Sequence, residues 1–129
     1  MIYALDTHTI AWYLESDPRL SANAEMILDD LTAELLIPTM VLVELHFLYV
    51  KQRIKISPAE IEQKFLRTRN CKIYPLDEEV VSQIPTNLDI HDSIIVATGL
   101  TYSNVRRQPV TLITKDAKIT QSGLIQTLW

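Results

Sequence analysis

Glu44 stands in the run TMVLVELHFLYV with Met40, Val41, Phe47 and Leu48 as its helical neighbours, all of them apolar. A lone ionised carboxylate buried in such surroundings costs several kcal/mol or takes up a proton. A cation resolves the conflict. A hard divalent ion such as Mg²⁺ takes oxygen ligands and keeps several of its waters. Three further acids stand beside apolar segments. Asp6 ends the run MIYALD, Asp92 follows Asp89 at the mouth of LDIHDSIIVATGL, and Asp116 comes just after VTLIT in LITKDAK. Asp6, Glu44, Asp92 and Asp116 would together supply a set of oxygen donors.

Each of these residues also has a plainer reading. Asp6 precedes a helix and suits an N-cap as well as a ligand, and Asp116 is placed in the same way. Asp89 reads as the cap of its helix, bonding to the free N–H groups of the first turn, and Asp92 suits a metal ligand and a plain helix-start acid equally. Glu44 could instead pair with a Lys or Arg or lie at the rim of its helix. His8, His46 and His91 show no metal-ligand spacing and read as structural or solvated. Trp12 and Tyr13 read as core. Lys51, Arg53 and Lys55 form a basic cluster of the kind that usually faces solvent.

The elements that must position the acids alternate along the chain. MIYALD, ELLIP, CKIYPL, VTLIT and LIQTLW are short apolar runs and read as strands. Between them THTIAWYLES, SANAEMILDDL, TMVLVELHFLYVKQR, SPAEIEQKFLRTR, DEEVVSQIP, DIHDSIIVATGLTYS and KDAKITQSG read as helices or helical turns. Ser21 and Thr39 are expected N-caps. Ser57, Pro58 and Glu60 make a capping box with proline in the first turn. Short apolar strands separated by helices indicate parallel pairing in an α/β/α three-layer sandwich with a mainly parallel central sheet. In such sheets ligands bind beyond the carboxyl ends of the strands, where Asp6 and Asp116 fall.

The totals agree with one domain over residues 1–129. Hydrophobic residues make up 47% and glycine only 2 residues, so a glycine-lined dinucleotide site is not expected. No P-loop and no nucleophile elbow is present. The single cysteine, Cys71, cannot form an internal disulfide. No run is long enough to span a membrane, and MIYALDTHT has no basic leader, so a cytoplasmic protein is expected. The net charge is −4, a poor starting point for binding phosphates. The four proposed ligands account for that whole excess, which leaves the remainder of the chain neutral.

The segments resemble those of PIN-domain proteins of the VapC toxin type. LDTHTIAWYL is similar to their opening LLDTHxLLW. IPTMVLVELHFLYVKQRIKIS is similar to their second segment, where one Glu interrupts an apolar helix. LDIHDSIIVATGL resembles HxDPFDRxLxAxAL, and TLITKDAKI resembles LVTxDxxF. The resemblance covers essentially the whole chain with the segments in order. It departs at Ile90-His91, which replace Pro-Phe, at Ser93, which replaces an Arg, and at Thr39, which replaces a common Ser.

The resemblance implies a PIN fold and a ribonuclease dependent on Mg²⁺ or Mn²⁺. It implies Asp6, Glu44, Asp92 and Asp116 as catalytic and metal-binding residues, with Thr7 and Thr114 as their hydroxyl neighbours. It also implies an RNA substrate, a cognate antitoxin as partner, and a homodimer. Lys51, Arg53, Lys55, Arg106, Arg107, Lys115 and Lys118 are candidates for phosphate contacts. Two other readings stay open. One is a catalytically silent PIN-like domain used for protein contacts. The other is a receiver-like phosphoacceptor domain, which also gathers acids at strand ends but which IYPLDEEV matches poorly.

Overall fold

The computed structural model describes every residue from Met1 to Trp129. Five strands form one sheet: β1 (Ile2–Leu5), β2 (Glu34–Pro38), β3 (Asn70–Tyr74), β4 (Val110–Ile113) and β5 (Gln126–Leu128). All pairings are parallel, and the order is β3-β2-β1-β4-β5. The central strands β1, β2 and β4 are buried almost throughout, as continuous apolar runs in a covered parallel sheet must be.

Helices α1 (Thr7–Leu14) and α2 (Ala22–Asp29) join β1 to β2, and α3 (Thr39–Val50) and α4 (Pro58–Ile61) lead from β2 towards β3. Helices α5 (Glu78–Ser82) and α6 (Ile90–Arg106) return the chain to β4, and α7 (Ala117–Ser122) joins β4 to β5. Parallel crossovers are right-handed, so the connections running outward from β1 cover one face and those leading to β4 and β5 cover the other. The contacts agree: α1 packs on α2 and α3, α3 on α4, and α5 on α6. The result is the expected three-layer sandwich. Its order of strands also sets aside a receiver-like domain, whose order is 2-1-3-4-5.

Local chemistry explains the helix ends. Ser21 accepts from the Ala24 amide at 3.1 Å, and the Ser57–Glu60 capping box forms with Pro58 in the first turn. Asp89 caps α6 by accepting from the Asp92 amide at 2.9 Å. Gly123, with φ +67°, ends α7 in the left-handed conformation that glycine tolerates. Thr39 is a correction. It is the first residue of α3 rather than a cap, and its hydroxyl donates to the Tyr74 carbonyl at 2.7 Å, tying α3 to the end of β3. After Ile61 the chain continues as a π-helical turn over Glu62–Leu66, which closes the helical segment before β3.

The core lies on both sides of the sheet. Leu5, Ile10, Leu36, Leu45, Phe65, Ile95 and Ile113 are among its fully buried side chains. Helix α6 is buried at every position from Ser93 to Gly99, and its threonines close their own hydroxyls onto the preceding turn. No helix is long and apolar enough to cross a membrane.

Candidate active site

Strand β1 is the point at which the strand order reverses. The chain runs outward from it through β2 and β3 on one side, and β4 and β5 lie on the other. Ligands of open parallel sheets bind at such a switch point, beyond the carboxyl ends of the strands. Asp6 follows the last residue of β1, and Thr114 follows the last residue of β4, where Leu5 and Ile113 are paired. The ladder extends by one bond from the Asp6 amide to the Ile113 carbonyl, 3.2 Å. This places Asp6 and Thr114 side by side, and the Thr114 hydroxyl donates to Asp6 Oδ2 at 2.5 Å. The Thr7 amide donates to Asp6 Oδ1 at 2.6 Å. Asp6 is therefore both the N-cap of α1 and an acid aimed across the switch point.

Asp116 has the same double character. Its Oδ1 accepts from the Lys118 and Ile119 amides at 2.8 and 3.0 Å and caps α7. The Asp116 amide in turn donates to the Thr114 hydroxyl at 3.1 Å. The buried Thr114 thus links the ends of β1 and α7.

Glu44 arrives from α3. It is not sealed in the core as its apolar neighbours suggest, since the side chain retains 26% exposure. Helix α3 is apolar on all sides yet leaves Val43, Phe47, Tyr49 and Val50 exposed. The buried Thr7 hydroxyl donates to Glu44 Oε1 at 2.7 Å. His91 Nδ1 lies 3.4 Å from Oε2. Neither Lys nor Arg pairs with it. His91 was expected to be merely structural or solvated, and no spacing in the chain links positions 44 and 91. The contact arises because α3 and α6 meet above the sheet.

Asp92 lies in the first turn of α6, half-buried, and its carboxylate accepts no hydrogen bond from the protein. Burial pushes its pKa up to about 6, and the negative charges of Asp89, Asp116, Asp6 and Glu44 add to the rise. Asp6 is also raised, by burial first. The Thr114 and Thr7 hydrogen bonds and nearby His8 pull the other way, and Asp116 adds to the rise. The four predicted acids therefore share one electrostatic neighbourhood at one end of the sheet. No basic side chain forms an ion pair with Asp6, Asp92 or Asp116. As the side chains stand, no three of the acidic or histidine groups close around a common point. The donor set nevertheless suits a hard cation: all oxygen, strongly negative and open to water. Mg²⁺ commonly binds through one or two carboxylates and retains its waters, so it needs no closed cage.

The proposed phosphate contacts divide. Lys115 lies beside Asp116, and Lys51 and Arg53 line a groove of about 400 Å³ with Glu44 and His91. Arg106 does not belong with them. It ends α6 at the opposite edge of the sheet, bound to Glu34 and to the Tyr102 hydroxyl. Arg107, which caps the same helix end, is equally remote from the acids. Trp12 is half-buried rather than core, and it lines a second pocket with Asp6 and Asp116.

A family model described as PIN domain matches residues 3–122. A search of curated protein sequences gives no match. Among solved structures, the chain is similar to VapBC2 from Rickettsia felis bound to a DNA fragment from its promoter. That likeness has TM-score 0.71 and 18% identity, over 100% of this chain and 99% of the other. FitAcB from Neisseria gonorrhoeae gives TM-score 0.64 and 20% identity, with 100% and 97% covered. A toxin–antitoxin complex from Klebsiella pneumoniae gives 0.63 and 17%, with 98% and 96% covered. At these identities the likeness is one of fold.

Proposed function

The chain belongs to the PIN domain family, and from that premise we propose that it is a metal-dependent endoribonuclease, the toxin of a toxin–antitoxin pair. The observation that carries this reading is the crowding of four carboxylates at the switch point with no Lys or Arg ion-paired to them. A fold spends stability on such a cluster when the cluster has a cation to hold. Asp6, Glu44, Asp92 and Asp116 would hold Mg²⁺, or Mn²⁺ in its place. Bound there, the ion supplies a lowered pKa for coordinated water and charge stabilisation on the phosphate oxygens.

The chain's own groups have separate tasks. Thr114 and Thr7 fix the rotamers of Asp6 and Glu44 by donating to one oxygen of each. The second Asp6 oxygen accepts from the Thr7 amide, and the second Glu44 oxygen lies against His91. Asp92, whose oxygens accept nothing from the protein, orients the attacking water. Water oxygen bonds to phosphorus as one P–O ester bond breaks; the water's proton passes to a carboxylate or solvent, and the leaving ribose oxygen takes up a proton from solvent. Lys115, Lys51 and Arg53 flank the acids and suit the phosphates on either side of the scissile one.

The same reading takes in the partners. Three structural neighbours are complexes named VapBC2, FitAcB and toxin–antitoxin complex. Here α3 exposes Val43, Phe47 and Val50 beside Glu44, an apolar strip that a partner helix would cover. An antitoxin Arg reaching the carboxylates would make the charge-assisted bonds that the chain itself does not supply. A homodimer, a cytoplasmic location and a single functional domain over residues 1–129 complete the proposal.

The test is expression of the chain alone and with the neighbouring reading frame, alongside cleavage of RNA by the purified protein in Mg²⁺ and in EDTA. The expected result is growth arrest relieved by the neighbour and absent in Asp6→Asn, with cleavage lost in EDTA. Harmless expression and no cleavage in Mg²⁺ or Mn²⁺ would favour the catalytically silent, protein-binding domain instead.

A further inference from the structure

Beside the acids lies a pocket of about 240 Å³ lined by aromatic and acidic side chains together. Asp6 and Asp116 line it with Trp12, Trp129, His8 and Lys115. The two indoles meet edge to face with centroids 5.8 Å apart, and His8 tilts against Trp12 at 5.3 Å. Lys115 Nζ lies 5.9 Å from the Trp12 ring. Trp129 is held from outside, since Asn23 Nδ2 donates to its carbonyl at 3.2 Å. Trp12 also borders a neighbouring pocket, where the Arg19 guanidinium covers its ring at 4.8 Å. Both indoles are half-buried and line the pocket together with the acids.

We propose that this pocket takes one nucleobase of a single-stranded RNA, the base adjoining the phosphate held at the acids. The proposal rests on the nuclease reading and adds a substrate subsite to it. The chemistry of the walls selects the occupant. A phosphate pushed into the pocket would meet Asp6 and Asp116 with Lys115 as its one fixed positive neighbour. A neutral flat base meets two indoles and leaves its phosphate outside, between Lys115 and the acids. Stacking of bases on aromatic side chains tolerates every base, so the pocket gives position rather than strict sequence choice. The volume is smaller than the range of about 300–1,000 Å³ typical of drug-sized ligand sites, which fits one base and not a dinucleotide.

Both tryptophans of the chain line this pocket, so intrinsic fluorescence reports on it directly. The experiment titrates single-stranded RNA hexamers into the Asp92→Asn chain in Mg²⁺, which keeps the strand intact. A hexamer of abasic ribose phosphates serves as the control of equal charge. RNA should quench the indoles with saturation, and the abasic strand should not. In the same background Trp129→Ala should weaken RNA binding about tenfold, read by anisotropy of a labelled strand, with most of the loss restored in Trp129→Phe. Trp12→Phe should keep near-parent affinity, and Lys115→Gln should lower the salt dependence of binding.

Equal quenching by the abasic strand, or unchanged RNA affinity in Trp129→Ala, overturns the pocket. So does an absence of RNA binding. The nuclease reading fails separately: a chain that cleaves no RNA but shows base-dependent quenching retains the pocket and loses the activity. A chain whose cleavage depends on Asp6 but not on Trp129 retains the activity and loses the pocket.

Discussion

The two ends of the sheet treat half-buried acids in opposite ways. At the amino-terminal edge of the strands, Glu34 accepts from the Tyr102 hydroxyl at 2.7 Å and from the Arg106 guanidinium. Burial alone would raise the Glu34 pKa, but those hydrogen bonds and the Arg106 charge hold it below the usual value. At the carboxyl edge, burial and neighbouring carboxylates raise Asp92 to about 6. The same fold that completes one carboxylate leaves Asp6, Asp92 and Asp116 without a basic partner and gives Glu44 only a histidine. The difference teaches that acid crowding at the switch point is not a failure of packing. The chain can place an Arg where stability needs one, and at the acids it places threonines.

The comparison breaks first at catalysis. Asp6→Asn and Asp92→Asn should each lower RNA cleavage by about 10²–10³-fold or more, the scale of losing one preorganised charged group from an active site. Both should fold, because Asn retains the shape and capping ability of Asp. Glu34→Gln should leave cleavage unchanged while lowering the melting temperature by a few degrees. Cleavage rates of a labelled RNA, with circular dichroism as the control for folding, decide the matter. Full activity in either aspartate variant removes the acids from the mechanism.

A smaller effect tests the hydroxyls that aim the acids. Thr114→Val and Thr7→Val keep volume and branching but remove the donors to Asp6 and Glu44. Outer partners of metal ligands are typically worth about 10–100-fold in affinity or activity. Thr→Ser should restore most of the loss. An equal deficit in the Ser variants would assign the threonines to packing alone.

Much of this arrangement was legible in the sequence. Five apolar runs separated by amphipathic or apolar helices gave the parallel sandwich, because period and length are local properties. Asp6 and Asp116 were readable as strand-end acids, and Asp89 as the cap rather than the acid at the cluster's centre. Glu44 was found by its apolar neighbours, although the reason was partly wrong: α3 is not buried all round, and its exposed face is surface. The contacts of His91 with Glu44 and of Trp12 with Trp129 were not legible. They join residues 47 and 117 positions apart through packing of separate elements, and nothing local marks either partner. Two basic candidates, Arg106 and Arg107, failed for the same reason. Arg106 looks like any other exposed cation until the strand order puts it at the wrong edge.

Metal binding sharpens the comparison thermodynamically. A ligand that binds only the folded state stabilises it by RT ln(1 + [L]/Kd), about 2.7 kcal/mol at a hundredfold excess over Kd. Mg²⁺ should therefore raise the melting temperature of the wild type by several degrees and that of Glu34→Gln by the same amount. Asp6→Asn should lose the response. A rise of equal size in Asp6→Asn would locate the ion elsewhere.

The smallest effect is the pH dependence of the metal-free protein, and here the two ends should act with opposite sign. Asp92 is raised from 3.8 to about 6, and Asp6 is raised as well, so the folded state binds their protons more tightly than the unfolded chain. The Asp92 contribution is complete below about 4 and disappears as pH rises through about 6, and that of Asp6 weakens in the same direction. Glu34 is lowered from 4.5, so its contribution is present above that value and is lost as pH falls through its folded pKa. Between pH 7 and 5, then, only the switch-point acids act, and stability in EDTA should rise on acidification. Further acidification below 4.5 should reverse the trend as Glu34 protonates. His8 and His91 border the same acids, so the difference between wild type and Asp92→Asn, rather than either curve alone, isolates the carboxylate. Asp92→Asn should flatten the limb between pH 7 and 5, and Glu34→Gln should make the limb below 4.5 shallower, the lowered Asp17, Asp30 and Glu60 supplying the rest of it. Chemical denaturation across this range in EDTA measures both. A wild-type curve that parallels Asp92→Asn through the upper limb would mean that the acids at the switch point are no more strained than the satisfied one at the other end.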